Sequence, residues 1–244
     1  MKQEALANGW DFFDRIYCIT LKERTDRREK VLRQFDTLGI AGRVQFMIAG
    51  RHPTDSEQGI YESHIACLRD AIETGARRMV IFEDDVVFER YDSDRFDEGI
   101  AFLRTHSDWA ILFLGCLVKR SRPTDVPMIR QIKYRCLTHA YAINQPCARR
   151  VVEKPWQKIP YDVMLSRLNE TETAFAICPT FAFQSDAASD NDRRRALDRF
   201  RRMCGGLRRI QKVNEWYHRN TVWVIVLHGA GLALLAWIVA EVIS

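Results

Sequence analysis

Residues 79–88, MVIFEDDVVF, constrain this chain more than any other stretch. Met79, Val80, Ile81 and Phe82 are apolar without alternation, which predicts a strand buried on both faces, as in a parallel sheet covered by helices. Glu83, Asp84 and Asp85 follow at once, and Val86, Val87 and Phe88 resume the apolar run. The acids then stand at the carboxyl end of the strand, where open α/β sheets bind ligands. Three adjacent anions repel one another and are costly to desolvate. A divalent cation, Mg²⁺ or Mn²⁺, relieves that cost through oxygen ligands. The alternative is a surface turn with solvated acids. The apolar neighbours on both sides favour a site for metal and phosphate.

The flanking sequence supplies the rest of a sheet. Arg15–Leu21 reads as a strand, 25–38 as a helix with Val31, Leu32, Phe35 and Leu38 at helical spacing, and Val44–Ala49 as a second strand. This β-α-β opening predicts a parallel sheet. Residues 51–60, with Pro53 and Gly59, read as a loop, and 61–74 as a helix. Further helices are expected over 94–103, 146–153 and 161–168. Strands are expected over 109–114, 132–143 and, broken by Pro179, 174–183. The polar stretch 119–127 reads as a connection. The expected fold is therefore α/β, with a mostly parallel, Rossmann-like sheet flanked by helices over residues 1–192.

Charge separates the remainder. The net charge is +5, yet between Arg193 and Arg219 ten Lys or Arg face only Asp198 and Glu215. That segment sums to +8, so the rest of the chain is net acidic at −3. A nucleic-acid groove on the main domain is not expected. Leu197, Phe200, Leu207, Ile210 and Tyr217 fall on one helical face of 193–221, as in an amphipathic helix on an anionic membrane surface. Residues 222–243 are apolar apart from His228 and Glu241, and Trp216, Tyr217, Trp223 and Trp237 suit interfacial anchoring. This predicts a membrane helix, with the main domain on the cytoplasmic face of the inner membrane. The seven cysteines are odd in number and form no CxxC pair, which suits reduced thiols. The amino terminus has no apolar signal core.

Two motifs carry a resemblance. Residues 16–40, IYCITLKERTDRREKVLRQFDTLGI, pair a strand ending at Leu21 with Arg24, Asp26, Arg27 and Arg28. Residues 59–88 pair Ser63-His64 with a strand ending in Glu83-Asp84-Asp85. Together they resemble glycosyltransferase family 25, the lipopolysaccharide glycosyltransferases related to collagen galactosyltransferases. The chain departs from the family pattern at Thr20, where Asn is usual, and at 58–62, where a small-residue loop is usual. Weaker echoes follow at 111–115, at His139 to Tyr141 and at Tyr161-Asp162.

The resemblance implies a GT-A-like fold and a metal-dependent transferase moving a sugar from a nucleotide-sugar donor, with UDP-galactose the family-based expectation, to a saccharide or lipid-linked acceptor. It implies that Glu83, Asp84 and Asp85 serve Mn²⁺ or Mg²⁺, and that Leu21, Arg24, Arg27, Ser63, His64 and Asp84 line the donor. Arg28 fits a solvated helix start, Tyr141 packing, and His139 either a site or a strand role. Asp162 is the candidate base for inverting displacement, its rival role being a helix N-cap. Gln184, Ser185, Ser189 and Asp190 read as the exit from the domain. A homo-oligomer is compatible with the chain. The competing function is a membrane-tethered binding or scaffolding protein on a transferase fold.

Overall fold

The computed structural model describes residues 8–185 and 205–243. Strands β1 (Arg15–Leu21) and β2 (Val44–Ala49) pair in parallel around α1 (Thr25–Thr37), as the periodicity predicts. β3 (Arg78–Glu83) pairs in parallel with β1 on its other side. β5 (Ile111–Pro123) and β7 (Ala174–Ile177) are also parallel, whereas β6 (Ile129–Asn144) runs antiparallel to β3, β5 and β7. The six-stranded order is β2-β1-β3-β6-β5-β7, and a separate ribbon joins β4 (Val86–Phe88) to β8 (Ala182–Gln184). Five of the six strands run in one direction and β6 alone is reversed, so the expected mostly parallel, Rossmann-like α/β sheet carries one antiparallel strand. Its parallel half carries the acids.

β3 sits inside this sheet because neither of its faces can be wetted. Met79, Val80, Ile81 and Phe82 are fully buried. Val80 and Phe82 belong to a core with Val31 and Phe35 of α1 and with Phe96 and Ile100 of α3 (Ser93–Thr105). Met79 and Ile81 belong to a second core, with Ile65 and Leu68 of α2 (Ser56–Glu73), Cys147 of α4 (Gln145–Val152) and Leu165 of α5 (Tyr161–Leu168). Each such side chain contributes about 1.5–3 kcal/mol by leaving water.

Two segments differ from expectation for identifiable reasons. α2 begins at Ser56, inside the expected loop, because the Asp55 carboxylate accepts from the backbone N–H groups of Glu57 and Gln58. Gly59 lies in that helix against His52, and a Cβ there would come within 2.8 Å of His52 Cβ. Ser63 and His64 are therefore mid-helix residues. The polar stretch 119–127 is mostly strand: β5 and β6 extend past the core as an antiparallel ribbon with register shifts between Phe113 and Arg120. Lys119, Arg120 and Arg122 are exposed there, so no apolar alternation marked the strand.

The carboxyl-terminal helices correct the membrane expectation. α6 (Gly206–Arg219) docks on β5 and β8 through Gln211 and Asn214 instead of lying apart as a basic surface helix. Leu197, Phe200 and the 192/193 boundary lie outside the described residues. α7 (Thr221–Ile243) follows, with Val222, Trp223 and Leu227 exposed. Among the described residues no helix is long and apolar enough to cross a membrane. The predicted membrane helix, and the inner-membrane location that depended on it, are not supported.

β8 is seated on β5 by an absent side chain. A Cβ at Gly115 would fall 1.8 Å from the Ala182 carbonyl oxygen and 2.8 Å from His139 Nε2. Gly115→Ala must displace β8 and is expected to cost about 1–3 kcal/mol in urea unfolding. Gly42→Ala, where a Cβ meets nothing within 4 Å, is the control, expected within about 0.5 kcal/mol of the parent. Equal midpoints for the two variants refute the packing argument.

Candidate active site

The acids turn out of β3 at its carboxyl end, between the two cores, and each finds different partners. Asp84 accepts a 2.7 Å hydrogen bond from the Thr20 hydroxyl and lies 3.2 Å from Arg27 Nη1. Both members of that ion pair are nearly buried, with side-chain exposures of 10% and 9%. Thr20 is the penultimate residue of β1 and Arg27 lies in the first turn of α1, so the first β-α unit is tied to the acidic turn through one carboxylate. Thr20 is the position that departs from the family's Asn, and its hydroxyl donates to Asp84.

Glu83 points to the other face. The Thr138 hydroxyl donates to its Oε1 at 2.7 Å, and His64 Nε2 lies 3.4 Å from the same oxygen. His64 is stacked on the Tyr161 ring with centroids 4.1 Å apart. Its Nδ1 is 3.1 Å from the Tyr141 hydroxyl, which is 2.9 Å from the Tyr161 hydroxyl. α2, β6 and α5 therefore converge on one imidazole. Burial pushes the Glu83 carboxyl up, but the hydrogen bond and charge of His64 and the Thr138 bond outweigh it, holding the carboxyl below the usual range.

Asp85 has the least compensation. Gln184 Nε2 donates to its Oδ2 at 2.8 Å, and Ser185 N donates to its backbone carbonyl at 2.8 Å. Oδ1 is buried with no hydrogen-bond partner. Burial, then the neighbouring Glu83 charge, raises its pKa to about 7. Burial also raises Asp84, against the opposing Thr20 and Arg27. His139 is fully buried and pushed down by burial, and its Nε2 lies 3.1 Å from the Ala182 carbonyl.

The other candidates are placed as follows. Arg24 makes two contacts with Asp26, at 3.0 and 3.1 Å, and stands at the start of α1. Leu21 is half-buried at the end of β1. The Ser63 hydroxyl donates to the Gly59 carbonyl of its own helix at 2.7 Å. Asp162 is buried in the first turn of α5, one residue after Tyr161, and Pro160 occupies the N-cap position instead. Ser189 and Asp190 lie outside the described residues. Thr138 and Gln211 are site residues that the sequence did not announce, since a Thr within an apolar strand and a Gln in a basic run carry no motif.

Among the described residues no group of three His, Cys, Asp or Glu side chains is placed to hold a metal ion. The expected three-carboxylate set of Glu83, Asp84 and Asp85 does not form one cage, because Thr138 with His64 and Thr20 with Arg27 draw the first two apart. Asp85 Oδ1 is the carboxylate oxygen of the turn that is shielded and unpartnered.

The fold is α/β, and its acidic turn lies at the carboxyl edge of the parallel strands, where open sheets of this kind bind ligands. The chain belongs to glycosyltransferase family 25: the family described as "Glycosyltransferase family 25 (LPS biosynthesis protein)" matches residues 43–165. "Inactive glycosyltransferase 25 family member 3" of Homo sapiens is 26% identical over 185 residues, covering 63% of this chain and 31% of that protein. "Procollagen galactosyltransferase 1-A" of Xenopus laevis is 29% identical over 186 residues, covering 63% and 30%. The chain spans about a third of the length of these curated relatives. Among solved structures, A197 from STIV gives a TM-score of 0.48 at 13% identity, covering 70% of this chain and 85% of that one.

The raised Asp85 pKa has a stability consequence. An unfolded Asp releases its proton near pH 3.9, whereas folded Asp85 holds it to about pH 7. Between those values the folded state binds more protons than the unfolded one, so this residue lowers stability as pH rises. Asp85→Asn is expected to melt with the parent near pH 4 and several degrees above it at about pH 8. A melting difference that is the same at both pH values refutes the assignment.

Proposed function

We propose that the chain is a UDP-sugar-dependent glycosyltransferase that moves a hexose, galactose by family analogy, to a saccharide or lipid-linked acceptor of surface-glycan or lipopolysaccharide type. One observation carries the reading: at the ligand end of the sheet, Asp85 presents a shielded carboxylate oxygen without a partner, in a turn anchored by the buried Arg27–Asp84 pair. As a three-acid cage the turn does not fit a cation. As a one-carboxylate site whose remaining ligands are diphosphate oxygens and water it fits Mg²⁺ or Mn²⁺, the mode in which such ions accompany phosphates.

Asp85 would hold the cation. When bound, that ion neutralises charge developing on the departing diphosphate. Arg27, beside the turn, adds fixed positive charge that is pre-oriented by Asp84. Glu83 and His64 shape the opposite wall, joined to α5 through Tyr161. Asp162, in the next position of α5, takes the proton of the acceptor hydroxyl as that oxygen bonds to the anomeric carbon from the face opposite the leaving diphosphate, which inverts the stereochemistry.

A binding protein without turnover is the second reading. It is favoured by the saturation of Glu83 and Asp84 with protein partners, and a human relative carries the printed name "inactive". Titration of the full chain with UDP, with and without Mn²⁺, separates the readings. The transferase reading expects metal-dependent UDP affinity that Asp85→Asn abolishes, together with slow UDP release from a UDP-sugar. Asp162→Asn is expected to keep the affinity and lose about 10²-fold or more of transfer. Metal-dependent UDP binding with no release from any UDP-hexose or acceptor mixture supports the non-catalytic reading, and no UDP binding at all refutes both.

A further inference from the structure

α6 presents one polar side chain inward more completely than its apolar ones, for Leu207 and Ile210 are only half-buried. Its apolar residues Val213 and Trp216 are 58% and 57% exposed, while Gln211 is 1% exposed. Polar side chains also dock it. Gln211 Oε1 accepts from the Gln184 backbone N–H at 3.1 Å, and its Nε2 donates to the Ala182 carbonyl at 3.3 Å. Asn214 holds both the N–H and the carbonyl of Val118, at 2.9 and 3.2 Å. Glu215 accepts from the Thr180 N–H at 3.1 Å. Hydrophobic gain explains only part of this seam, since Leu207 and Ile210 are half-buried. Each polar group in it satisfies a backbone group on β5, on β8 or in the turn before β8, groups that would otherwise be costly to bury.

The Gln211 contact leads into the acidic turn. The residue whose N–H Gln211 accepts is Gln184, and the Gln184 side chain holds Asp85 Oδ2 at 2.8 Å. The next N–H, that of Ser185, donates to the Asp85 carbonyl. With Oδ2 and the carbonyl both held, the carboxylate has one orientation, and Oδ1 is the oxygen left over. Gln211 fixes the backbone of Gln184 from behind, and Gly115 lets β8 approach closely enough for the contact.

We propose that Gln184 is a positioning residue for Asp85, and that α6, through Gln211, is part of the donor site although it lies outside the residues that match the family. The proposal rests on Asp85 serving a cation and the donor diphosphate. A carboxylate released from Gln184 rotates, and the ligand oxygen then has to be ordered at each binding event, which weakens cation binding and leaves metal-free contacts with the nucleotide untouched.

The test uses the full chain and three readouts: Mn²⁺ affinity at saturating UDP, UDP affinity without metal, and melting temperature. Gln184→Leu, Gln184→Asn and Gln211→Leu are each expected to weaken Mn²⁺ binding about tenfold or more, with metal-free UDP affinity unchanged. Asn214→Ala loosens the same helix at Val118 and is expected to lower the melting temperature as much as Gln211→Leu while Mn²⁺ affinity holds. The positioning role is overturned if Mn²⁺ binds the Gln184 variants as tightly as the parent or tighter. It is also overturned if affinity in all variants, Asn214→Ala included, simply follows melting temperature. Loss of Mn²⁺ in Asp85→Asn with retention in the Gln184 variants refutes positioning alone. A parent chain that shows no Mn²⁺-dependent UDP binding refutes the donor-site reading and the positioning role with it.

Discussion

The structure depends on how three carboxylates are tolerated at the tip of a strand that is dry on both faces. Side by side in a low-dielectric setting, they would destabilise the fold unless each was compensated. Compensation comes from different quarters: Arg27 and Thr20 for Asp84, His64 and Thr138 for Glu83, Gln184 for Asp85. Each partner belongs to a different element, so the electrostatic requirement also draws α1, α2, β6 and β8 to the end of β3. Compensation is least complete at Asp85, where one oxygen is left without a partner. Stability and ligand capacity are in opposition at that atom.

Much of this is legible in the sequence. The run 79–82 announced a strand without a wet face, and the β-α-β opening announced parallel pairing. Strand β1, strand β2 and helix α5 fall where periodicity placed them. These successes share a cause: apolar spacing reports burial directly, and burial sets the element. Where burial is partial, the signal fails. The β5–β6 ribbon runs out beyond the core, its charged residues face water, and nothing in its pattern separates it from a loop. The start of α2 was hidden because its cap, Asp55, lies behind His52 and Pro53, and Gly59 imitates a turn while packing tightly.

The candidate site was legible as a set of residue types and opaque as a set of partners. Glu83, Asp84, Asp85, Arg27 and His64 are adjacent in space. What spacing could not reveal is that neighbouring carboxylates in a turn point to different faces. Side-chain direction alternates, so Glu83 and Asp84 diverge into different partner sets and cannot share one ion. Arg24 shows the same limit: the motif places it near the site, and a local Asp two residues on takes its guanidinium. Hydrophobic content alone was also a poor guide at the carboxyl end, where α6 presents its amides inward.

That inward polarity has a thermodynamic consequence. A helix docked by leucines exposes apolar surface when it leaves, and calorimetry and denaturants report it through heat capacity and slope. α6 exposes amides and backbone groups that water can solvate at once, together with the half-buried Leu207 and Ile210, while Val213 and Trp216 face outward whether it is docked or not. Its undocking therefore changes both observables less than that of a leucine-docked helix of the same length. Amide exchange at Val118, Thr180 and Gln184 would register opening of the seam beside β8 directly.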